Sequence, residues 1–467
     1  MSEISDYIDF SGTDHSIITS LMQKNVHVPS WCHLRKLYNY KEHKILFDTV
    51  NLRDKIRKDG SVEKSSRYSI GMERLLVRRM SEFMFSIPVK RVYHNTDNNA
   101  VRQTIARAIE AIYKYSRLKT HNLKRSKAFY AACEIATLWY AVKKPNKLYG
   151  FESQYKLKCK TFSPMNGYEL YPYFDEYGDM LAFSFKYSIT VNNETKTYFE
   201  TYTSDTHYKW IDDGGWRLVA DPEEVIIMKI PVIYLSRPEA IYEEVSYIRE
   251  EIEYTLSRNS NVIAYNSAPI LKIIGEILGD REMKNEDQRM FRMNSGGDVG
   301  YVSWNQAIEA LKYNVQESKE LFWSLTQMPD ISFSNMSRLG NIGYDARETL
   351  LTDAHLKVGD ESGDWIEFFE REDSVIKSFL KMMNTAWENE IDEVEVEHII
   401  TPFIQRNETA EITKRMAANG GKPIESHLES IKRYGQSNDP QETLDMIRKE
   451  QAEETQIAVA DVFGSAN

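Results

Sequence analysis

Apolar residues recur at helical spacing in two long segments near the middle of the chain. The first stripe consists of Ile241, Val245, Ile248, Ile252 and Leu256. Steps of three and four residues place these side chains on one face of a helix. We expect this helix to run from Ser236, as its N-cap, to about Asn259. The rest of its surface is acidic and carries Glu239, Glu243, Glu244, Glu250, Glu251 and Glu253.

A second amphipathic segment spans Gln306 to Gln327. Its apolar stripe consists of Ile308, Leu311, Val315, Phe322 and Leu325. Residues 265–304, between the two helices, contain Pro269 and several glycines, which predicts a compact insert of a short helix and strands. Helices with one narrow apolar seam and a charged remainder are typical of packing side by side with copies of the same chain, as around a channel.

A loop and a strongly acidic helix follow. Residues 328–343 contain one Pro, two Gly, two Asn and three Ser, a composition typical of loops. The helical pattern resumes at Tyr344, and residues 360–397 carry 13 acidic residues against three basic ones. After Pro402 the pattern predicts three short helices, with boundary signals at Asn407, Gly420-Gly421, Pro423, Gly435 and Asp439-Pro440.

The first half of the chain combines helices with strands. From 151 to 235, Tyr and Phe alternate with polar residues, which predicts an antiparallel sheet with turns at Val191–Glu194 and Asp212–Gly215. Its last strand is expected at Glu224–Leu235. Before the sheet we expect helices at 66–87, 99–118 and 123–142, the last two separated by a basic turn at 119–122.

Composition narrows the class of protein. The chain has 467 residues, 42% of them hydrophobic, enough for two or three domains with real cores. No stretch approaches the run of about 20 apolar residues that spans a bilayer, so we expect no membrane partner. The N-terminus lacks the pattern of a secretory signal. The three cysteines are widely separated, which favours a reducing compartment over disulfides or a zinc site.

Charge is distributed unevenly along the chain. Residues 1–130 contain 24 Lys and Arg against 13 Asp and Glu, which gives them a net charge of +11. Because the whole chain has a net charge of −11, the remaining residues carry −22. Three interpretations stay open. Neighbouring copies could meet head to tail through opposite charges, the basic part could contact nucleic acid, or the charges could simply be solvated.

Signatures of enzymes are largely absent. Gly420-Gly421-Lys422 lacks the other residues of a phosphate loop and fits a helix end better. A metal site near His355 or His398 is conceivable, but a lone helical histidine is usually packed or solvated. The acids at 360–397 could serve a two-metal nuclease, yet a continuous acidic run is normally a solvated face. We therefore expect no catalytic residue, no metal and no cofactor.

The acidic helix has a second interpretation besides an ordinary solvated face. If copies of it line a pore, the wall is negative and repels DNA phosphates, which suits a conduit through which DNA moves. The candidate channel-lining residues are Glu243, Glu244, Glu250 and Glu251.

The order helix, insert, helix, loop and long helix resembles the portal proteins of tailed bacteriophages. The C-terminal segment NETAEITKRMAANGGKPIESHLESIKRYGQSNDPQETLDMIRKEQAEE follows the ending of that family. The resemblance implies an α+β, ring-forming fold with a mixed wing, an α-helical stem, a small α/β clip and a helical crown. The implied parts are a wing at 1–235, stem helices at 236–260 and 306–327, a clip at 261–305, a tunnel loop at 328–343, the wing's long helix and closing strand at 344–405, and a crown at 406–467.

The resemblance also implies a role and partners. It implies a dodecameric ring at a capsid vertex, assembled in the host cytoplasm, through which double-stranded DNA enters and leaves the virion. Terminase would dock on the clip, and the other implied partners are the major capsid, scaffolding and head-completion or adaptor proteins. Arg338 would contact a phosphate or else pair with an acid such as Asp345 or Glu348. By position, the DNA-facing residues of the tunnel loop are Ser334, Asn335, Ser337, Arg338 and Asn341.

Two other functions stay open from the sequence. One is a metal-dependent nucleic-acid-processing enzyme that binds through the basic N-terminal part and cuts with acids such as Asp364 and Glu367. The other is a virion adaptor or scaffold without a channel.

Overall fold

The computed structural model of the chain divides into two compact units. The first comprises Met1–Ile342 with Thr349–Phe403, and the second comprises Gly343–Glu348 with Ile404–Asn467. The structure describes residues 4–23, 25–97, 99–266, 270–274, 283–285, 288–290, 296, 298–302, 308–332, 349, 351–403, 413, 416–417, 426–434 and 440–464.

Long helices occur in both units. Those of the first unit are α1 (Asp14–Leu21), α2 (Trp31–Tyr38), α3 (Met72–Phe85), α4 (Ala100–Tyr115), α5 (Leu118–Ala132), α6 (Ser246–Asn266), α7 (Ile308–Leu325) and α8 (Thr352–Met383). The second unit contains α9 (His427–Tyr434) and α10 (Pro440–Gly464). In the described part of the chain, no helix combines the length and apolar character needed to cross a lipid bilayer.

The strands pair in antiparallel fashion throughout the described residues. They are β1 (Lys55–Ile56), β2 (Val62–Glu63), β3 (Lys90–His94), β4 (Glu134–Asn146), β5 (Ser153–Phe162), β6 (Glu169–Phe174), β7 (Met180–Val191), β8 (Glu194–Tyr202), β9 (Thr206–Asp212), β10 (Trp216–Leu218), β11 (Glu223–Glu224), β12 (Val232–Ser236), β13 (Ile270–Ile274), β14 (Met283–Asn285), β15 (Gln288–Met290), β16 (Asp298–Val302) and β17 (Glu395–Ile399). Helices and antiparallel sheets in one chain confirm the predicted α+β class.

Two sheets dominate the first unit. The larger has the order β10-β9-β8-β7-β6, with β11 also paired to β9, and the smaller has the order β12-β4-β5. Both predicted turns are confirmed, since Val191 pairs with Glu194 and Asp212 pairs with Trp216. Gly214 and Gly215 take positive φ angles of 76° and 153° in the second turn, a conformation that glycine adopts at little cost.

One large core joins most helices of the first unit to the inner face of β4. Trp139 of β4, Phe129 of α5 and Trp365 of α8 are fully buried in it. The Phe129 and Trp365 rings meet edge to face, with centroids 5.5 Å apart. A smaller core packs α1 against the larger sheet through Leu21 and Trp210. The large core therefore fixes α8 and the smaller sheet relative to α3–α6.

The helix predicted at 123–142 is wrong over its second half. Helix α5 begins already at Leu118, after Arg117 at φ 56°, so the expected basic turn at 119–122 is helical. It ends at Ala132 and is capped by Cys133, which has φ 62°, and the next residues form β4. The first residues of β4 are buried on both faces, with Ile135 and Trp139 in the large core and Ala136 and Leu138 in a core against the larger sheet. A strand covered on both sides shows a continuous apolar run, which periodicity cannot distinguish from a buried helix.

The predicted start of the first long helix is also wrong. Helix α6 begins at Ser246, after bends at 238–239 and turns at 241–245. Arg237 extends the pairing of β12 by donating its N–H to the Cys133 carbonyl oxygen, and its guanidinium binds both carboxylate oxygens of Glu361 at 3.0 and 3.1 Å. The strand expected at Glu224–Leu235 is interrupted as well, by a turn in which Met228 has φ 50°. These tertiary contacts hold the chain extended where its local signals favoured a helix start.

Other predicted elements are confirmed with shifted ends. The helix expected at 306–327 is α7, and the acidic helix after Tyr344 is α8 over its described length. In the second unit α9 ends at Tyr434, one residue before Gly435, and α10 begins at Pro440. The first of the three short helices expected after Pro402 lies almost entirely outside the described residues.

Candidate channel helices and their polar contacts

Helices α6 and α7 pack against each other and against the large core. Ile248 and Ile252 of α6 are buried, and Val245 is buried just before it. Phe322 of α7 is buried in the same core, with Val315 packed against it. The apolar seam of α6 is therefore filled by this chain itself, whereas in α7 Phe322 is buried and Leu325 is exposed. Packing of α7 against other copies stays a prediction.

The four candidate channel-lining acids do not share one environment. Glu243 lies in the turn before α6, half-buried, with a carboxylate oxygen 3.5 Å from His33 Nε2. Glu250 is half-buried and accepts a hydrogen bond from Lys44 Nζ at 3.2 Å. Glu244 and Glu251 are exposed. Of these four acids, Glu244 and Glu251 are therefore the most accessible to solvent, and a channel-lining role for all four stays a prediction.

Glu253, expected on the solvated surface of the helix, is instead fully buried. Arg249 donates from Nη1 to Glu253 at 2.8 Å and from Nε to Glu73 of α3 at 2.6 Å. His43 Nδ1 lies 2.6 Å from the other Glu253 oxygen, and His43 Nε2 lies 2.9 Å from the Leu37 carbonyl oxygen. Two acidic and two basic side chains thus form one buried cluster that ties α6 to α3 and to the segment after α2.

The charged side chains of this cluster shift one another's pKa values. Burial raises the pKa of Glu73, although the positive charge of Arg249 opposes that rise. Burial also disfavours the charged form of Arg249, but the Glu73 and Glu253 carboxylates outweigh it and raise the pKa of Arg249. Charges withdrawn from water are tolerated only when each has its partner, so the cluster fixes one orientation of α6.

A second set of contacts runs along α6 in register with an extended segment. The backbone N–H groups of Ile70, Tyr68 and Ser66 donate to the side chains of Glu253, Ser257 and Asn261, at 2.7, 2.8 and 2.7 Å. Two residues of extended chain advance about 6.6–6.8 Å, and four residues of helix advance about 6.0 Å. The two repeats match closely enough for three successive bonds. We call Glu253, Ser257 and Asn261 the polar rail of α6.

The sequence contained a signal for the polar rail that the apolar pattern obscured. Its members are spaced four residues apart, beside the apolar stripe rather than opposite it. Polar residues at that position border the core and need partners when buried.

The long helix α8 carries a comparable buried network. Glu372 accepts from both guanidinium nitrogens of Arg125, at 2.8 and 3.0 Å, and from Trp139 Nε1 at 2.9 Å. Asp373 accepts from the Tyr113 hydroxyl and lies 2.5 Å from His398 Nε2. Burial, followed by the Asp373 charge, raises the pKa of Tyr113 well above its ordinary value, so its hydroxyl stays a donor. These two acids belong to the interior, not to the solvated face expected for 360–397.

Two of the residues suggested for metal chemistry, His355 and Glu367, contact other groups, and Asp364 is exposed. His355 Nε2 lies 3.1 Å from the Phe403 carbonyl oxygen, Asp364 is exposed, and Glu367 pairs with Arg371 on its own helix. Within the described residues, no three His, Cys, Asp or Glu side chains gather where they could hold a metal ion.

An open cleft of about 710 Å³ lies beside the helix pair. On α7 the side chains of Leu321 and Leu325, four residues apart, are both exposed. At 3.6 residues per turn these two leucines point away from most of the cleft residues of the same helix. The cleft is lined by Leu256 and Asn259 of α6, by Leu311, Lys312, Val315, Gln316, Lys319, Glu320, Trp323 and Ser324 of α7, and by Gln327, Met328, Pro329, Asp330 and Asp353.

The candidate DNA-facing residues of the tunnel loop lie outside the described residues. They are Ser334, Asn335, Ser337, Arg338 and Asn341. Their assignment stays a prediction from the resemblance.

Comparison with known proteins places the chain in a family. Residues 24–456 match the family model described as "Phage portal protein, SPP1 Gp6-like". The chain therefore belongs to this family of phage portal proteins, which confirms the resemblance seen in its sequence.

Similar chains occur among solved structures. One comes from the "Neck of empty GTA particle computed with C6 symmetry", with 10% identity, 88% of this chain and 95% of that chain covered, and a TM-score of 0.40. Another comes from the "Virion of native gene transfer agent (GTA) particle", with 10% identity, 90% of this chain and 97% of that chain covered, and a TM-score of 0.38. A third comes from the "Neck of native GTA particle computed with C12 symmetry", with 11% identity, 89% of this chain and 96% of that chain covered, and a TM-score of 0.36. No curated protein sequence matches the chain.

Proposed function

We propose that the chain is the portal vertex protein of a tailed phage. Copies form a dodecameric ring whose central channel carries double-stranded DNA during packaging and ejection. The observation that carries this proposal is the match to the portal family over residues 24–456. The proposed role is structural rather than catalytic.

The helix pair supports this proposal physically. The buried cluster and the polar rail hold α6 firmly to the first unit, while Glu244 and Glu251 remain exposed. An exposed acidic surface on a rigid helix suits a channel wall, because it repels the DNA backbone and prevents tight binding.

The outer faces of α7 support ring formation. The exposed side chains of Leu321 and Leu325 and the cleft beside α6 lie on different sides of α7. A contact between two different surfaces is heterologous, and such contacts generate closed rings when the rotation between copies closes.

Partners and location follow from the same proposal. The ring sits at one vertex of the capsid after assembly in the host cytoplasm, in contact with capsid and scaffolding proteins. Terminase docks on the insert between α6 and α7, and head-completion or adaptor proteins occupy that end after packaging.

Electron microscopy of the purified protein tests the ring. We expect closed rings with a central hole wide enough for duplex DNA. A protein that remains monomeric in solution and on grids would contradict the proposal, and rings without a continuous pore would favour an adaptor.

Deletion of Met336–Leu339 tests the tunnel loop. Because these residues are assigned to DNA contact rather than to packing, we expect intact rings and a large loss of DNA packaging, measured by nuclease-protected DNA in procapsids. Failure of the rings to assemble would show that the loop is structural and its assignment wrong.

A further inference from the structure

Lysine and tyrosine side chains form a continuous surface across the two main sheets. We call Lys156, Lys158, Lys160, Tyr168, Tyr187, Tyr198 and Lys209 the lysine–tyrosine band. Lys160 Nζ lies 5.3 Å from the Tyr168 ring centroid, and Tyr168 and Tyr187 are 5.6 Å apart between centroids. Tyr187 and Tyr198 follow at 5.4 Å, and Lys209 Nζ lies 5.2 Å from the Tyr198 ring. The band therefore connects β5 with β7, β8 and β9.

Strand alternation explains why three lysines of β5 share one face. Lys158 pairs with Tyr140 of β4, and Tyr140 is exposed. The intervening residues Leu157 and Cys159 point into the large core with Trp139. Successive side chains of a strand point to opposite faces. Lys156, Lys158 and Lys160 therefore all lie on the face of β5 that is turned away from the large core.

The band is positively charged. Within the described residues, none of the three β5 lysines forms an ion pair with a carboxylate. The acid that the band does enclose, Glu200, is already neutralised, because it accepts from Lys209 at 2.8 Å and from the Tyr187 hydroxyl at 2.6 Å. His207 Nε2 lies 3.3 Å from its other oxygen. Lys156, Lys158 and Lys160 thus remain available to an external anion.

The spacing of the lysines fits a regular polyanion. Alternate residues of a strand are about 6.6–6.8 Å apart. Along the helix axis, the phosphates of one strand of duplex DNA rise by about 3.4 Å each. Each step also carries the phosphate around the axis, so neighbouring phosphates lie further apart in space than this rise and approach the lysine repeat.

The chemistry of the band favours the backbone of a duplex over two other partners. The Tyr187 and Tyr198 rings stack on each other at 20°, so their faces are not free to stack on bases, as binding of single strands requires. The cores of protein interfaces are depleted in lysine, which argues against a subunit contact.

We propose that the lysine–tyrosine band binds the sugar–phosphate backbone of duplex DNA, as a second DNA-binding surface on elements other than α6 and α7. Lysine ammonium groups contact the phosphates, and tyrosine hydroxyls at the edge of the band position the backbone without reading sequence. This surface goes beyond the proposed channel and does not require it.

Binding of a short fluorescent duplex to the full chain, measured by anisotropy over a range of salt concentrations, tests the band. The variant K156Q/K158Q/K160Q is compared with K36Q/K41Q/K58Q, which removes the same charge from exposed lysines outside the band. Each lost phosphate contact lowers the salt slope by about 0.9. We expect the slope to fall by up to about 2.7 and the affinity to fall about 100-fold or more near 0.1 M salt, in the band variant alone.

Acetylation of lysines with and without the duplex gives an independent measurement by mass spectrometry. Protection of Lys156, Lys158 and Lys160 but not of Lys36, Lys41 and Lys58 supports the band. Equal loss of DNA affinity in both variants overturns it, because the loss then follows from the change in net charge and not from the position of the lysines. Loss of ring assembly at unchanged DNA affinity also overturns it and makes the band a subunit interface.

The outcome for the band is separable from that for the channel. Wild-type rings that bind no duplex outside their channel overturn the band and leave the proposed portal function standing. A monomeric wild-type chain that binds the duplex through the band supports this inference and contradicts the ring.

Discussion

At the scale of single residues, the acids of α6 differ more in environment than in sequence. Glu251 is exposed, whereas Glu253 two residues later is fully buried and bonded to Arg249 and the Ile70 N–H. The difference arises because α3 and residues 66–70 cover only one side of the helix. A run of glutamates therefore predicts a charged helix, but it does not predict which carboxylates are solvated.

Replacing Arg249 by methionine should destabilise the protein severely. The substitution leaves Glu73 and Glu253 buried without their cationic partner, and breaking a buried ion pair in this way costs about 3–5 kcal/mol. Urea unfolding of the wild type and the variant measures the change in free energy.

Arg371→Met is the matched control for that experiment. Arg371 also pairs with a glutamate four residues away on its own helix, but both side chains are exposed, and such pairs contribute about 0–1 kcal/mol. Equal effects of the two substitutions would show that the buried cluster contributes no more than a surface pair.

Glu200 should make stability depend on pH in the acid range. Burial alone would raise its pKa, but hydrogen bonds from His207, Lys209 and Tyr187 outweigh burial and lower the pKa from 4.5 to about 2. The folded state therefore gains stability above the unfolded pKa and loses it as pH falls toward the folded pKa.

The measurement compares wild type with Glu200→Gln by urea unfolding at pH 6 and pH 3. At pH 6 the wild type should have the larger free energy of unfolding. At pH 3 the difference between wild type and variant should be smaller by about 2 kcal/mol. An equal difference in free energy of unfolding at both pH values would mean that Glu200 is not the group that makes stability depend on pH.

At the scale of elements, existence and type were more predictable than boundaries. The hairpin at Asp212–Gly215 was predictable because its glycines and flanking aromatic residues are local signals. The strand β4 was not, because its apolar run is produced by neighbours on both faces. The start of α6 also depends on distant partners, since Glu361 fixes Arg237.

Ser257→Ala tests the polar rail. The substitution leaves the Tyr68 N–H without its acceptor, so we expect a loss of about 1–2 kcal/mol of stability. Hydrogen exchange of the Tyr68 amide should accelerate more than that of amides elsewhere in the core.

Ser260→Ala provides the control on the same helix. Its hydroxyl is 3.4 Å from the Tyr68 hydroxyl and accepts no backbone N–H in the rail. A Tyr68 amide that exchanges at the same rate in both variants would contradict the rail.

At the scale of the whole molecule, the described residues include two exposed leucines on one side of α7, Leu321 and Leu325, and an open cleft beside α6. Leu321→Glu should therefore prevent ring assembly while the chain still folds, because exposed substitutions usually change stability by less than about 0.5 kcal/mol. Size-exclusion chromatography and thermal unfolding measure the two effects separately.

Leu356→Glu is the control for assembly. Leu356 is an exposed leucine on α8, and it does not line the cleft. Rings that form normally with Leu321→Glu, or that fail equally with both substitutions, would exclude the α7 face as the subunit contact.

The sequence by itself determined the class of the protein, the order of its long helices and the antiparallel sheet. Those features follow from periodicity, turn residues and a C-terminal pattern, all of which act over short stretches of chain. The tertiary structure alone decided which charges are buried, where α6 begins and which lysines and tyrosines share a surface. These depend on contacts between residues far apart in the chain, such as Glu73 with Arg249 and Lys160 with Tyr168, and no local pattern specifies them.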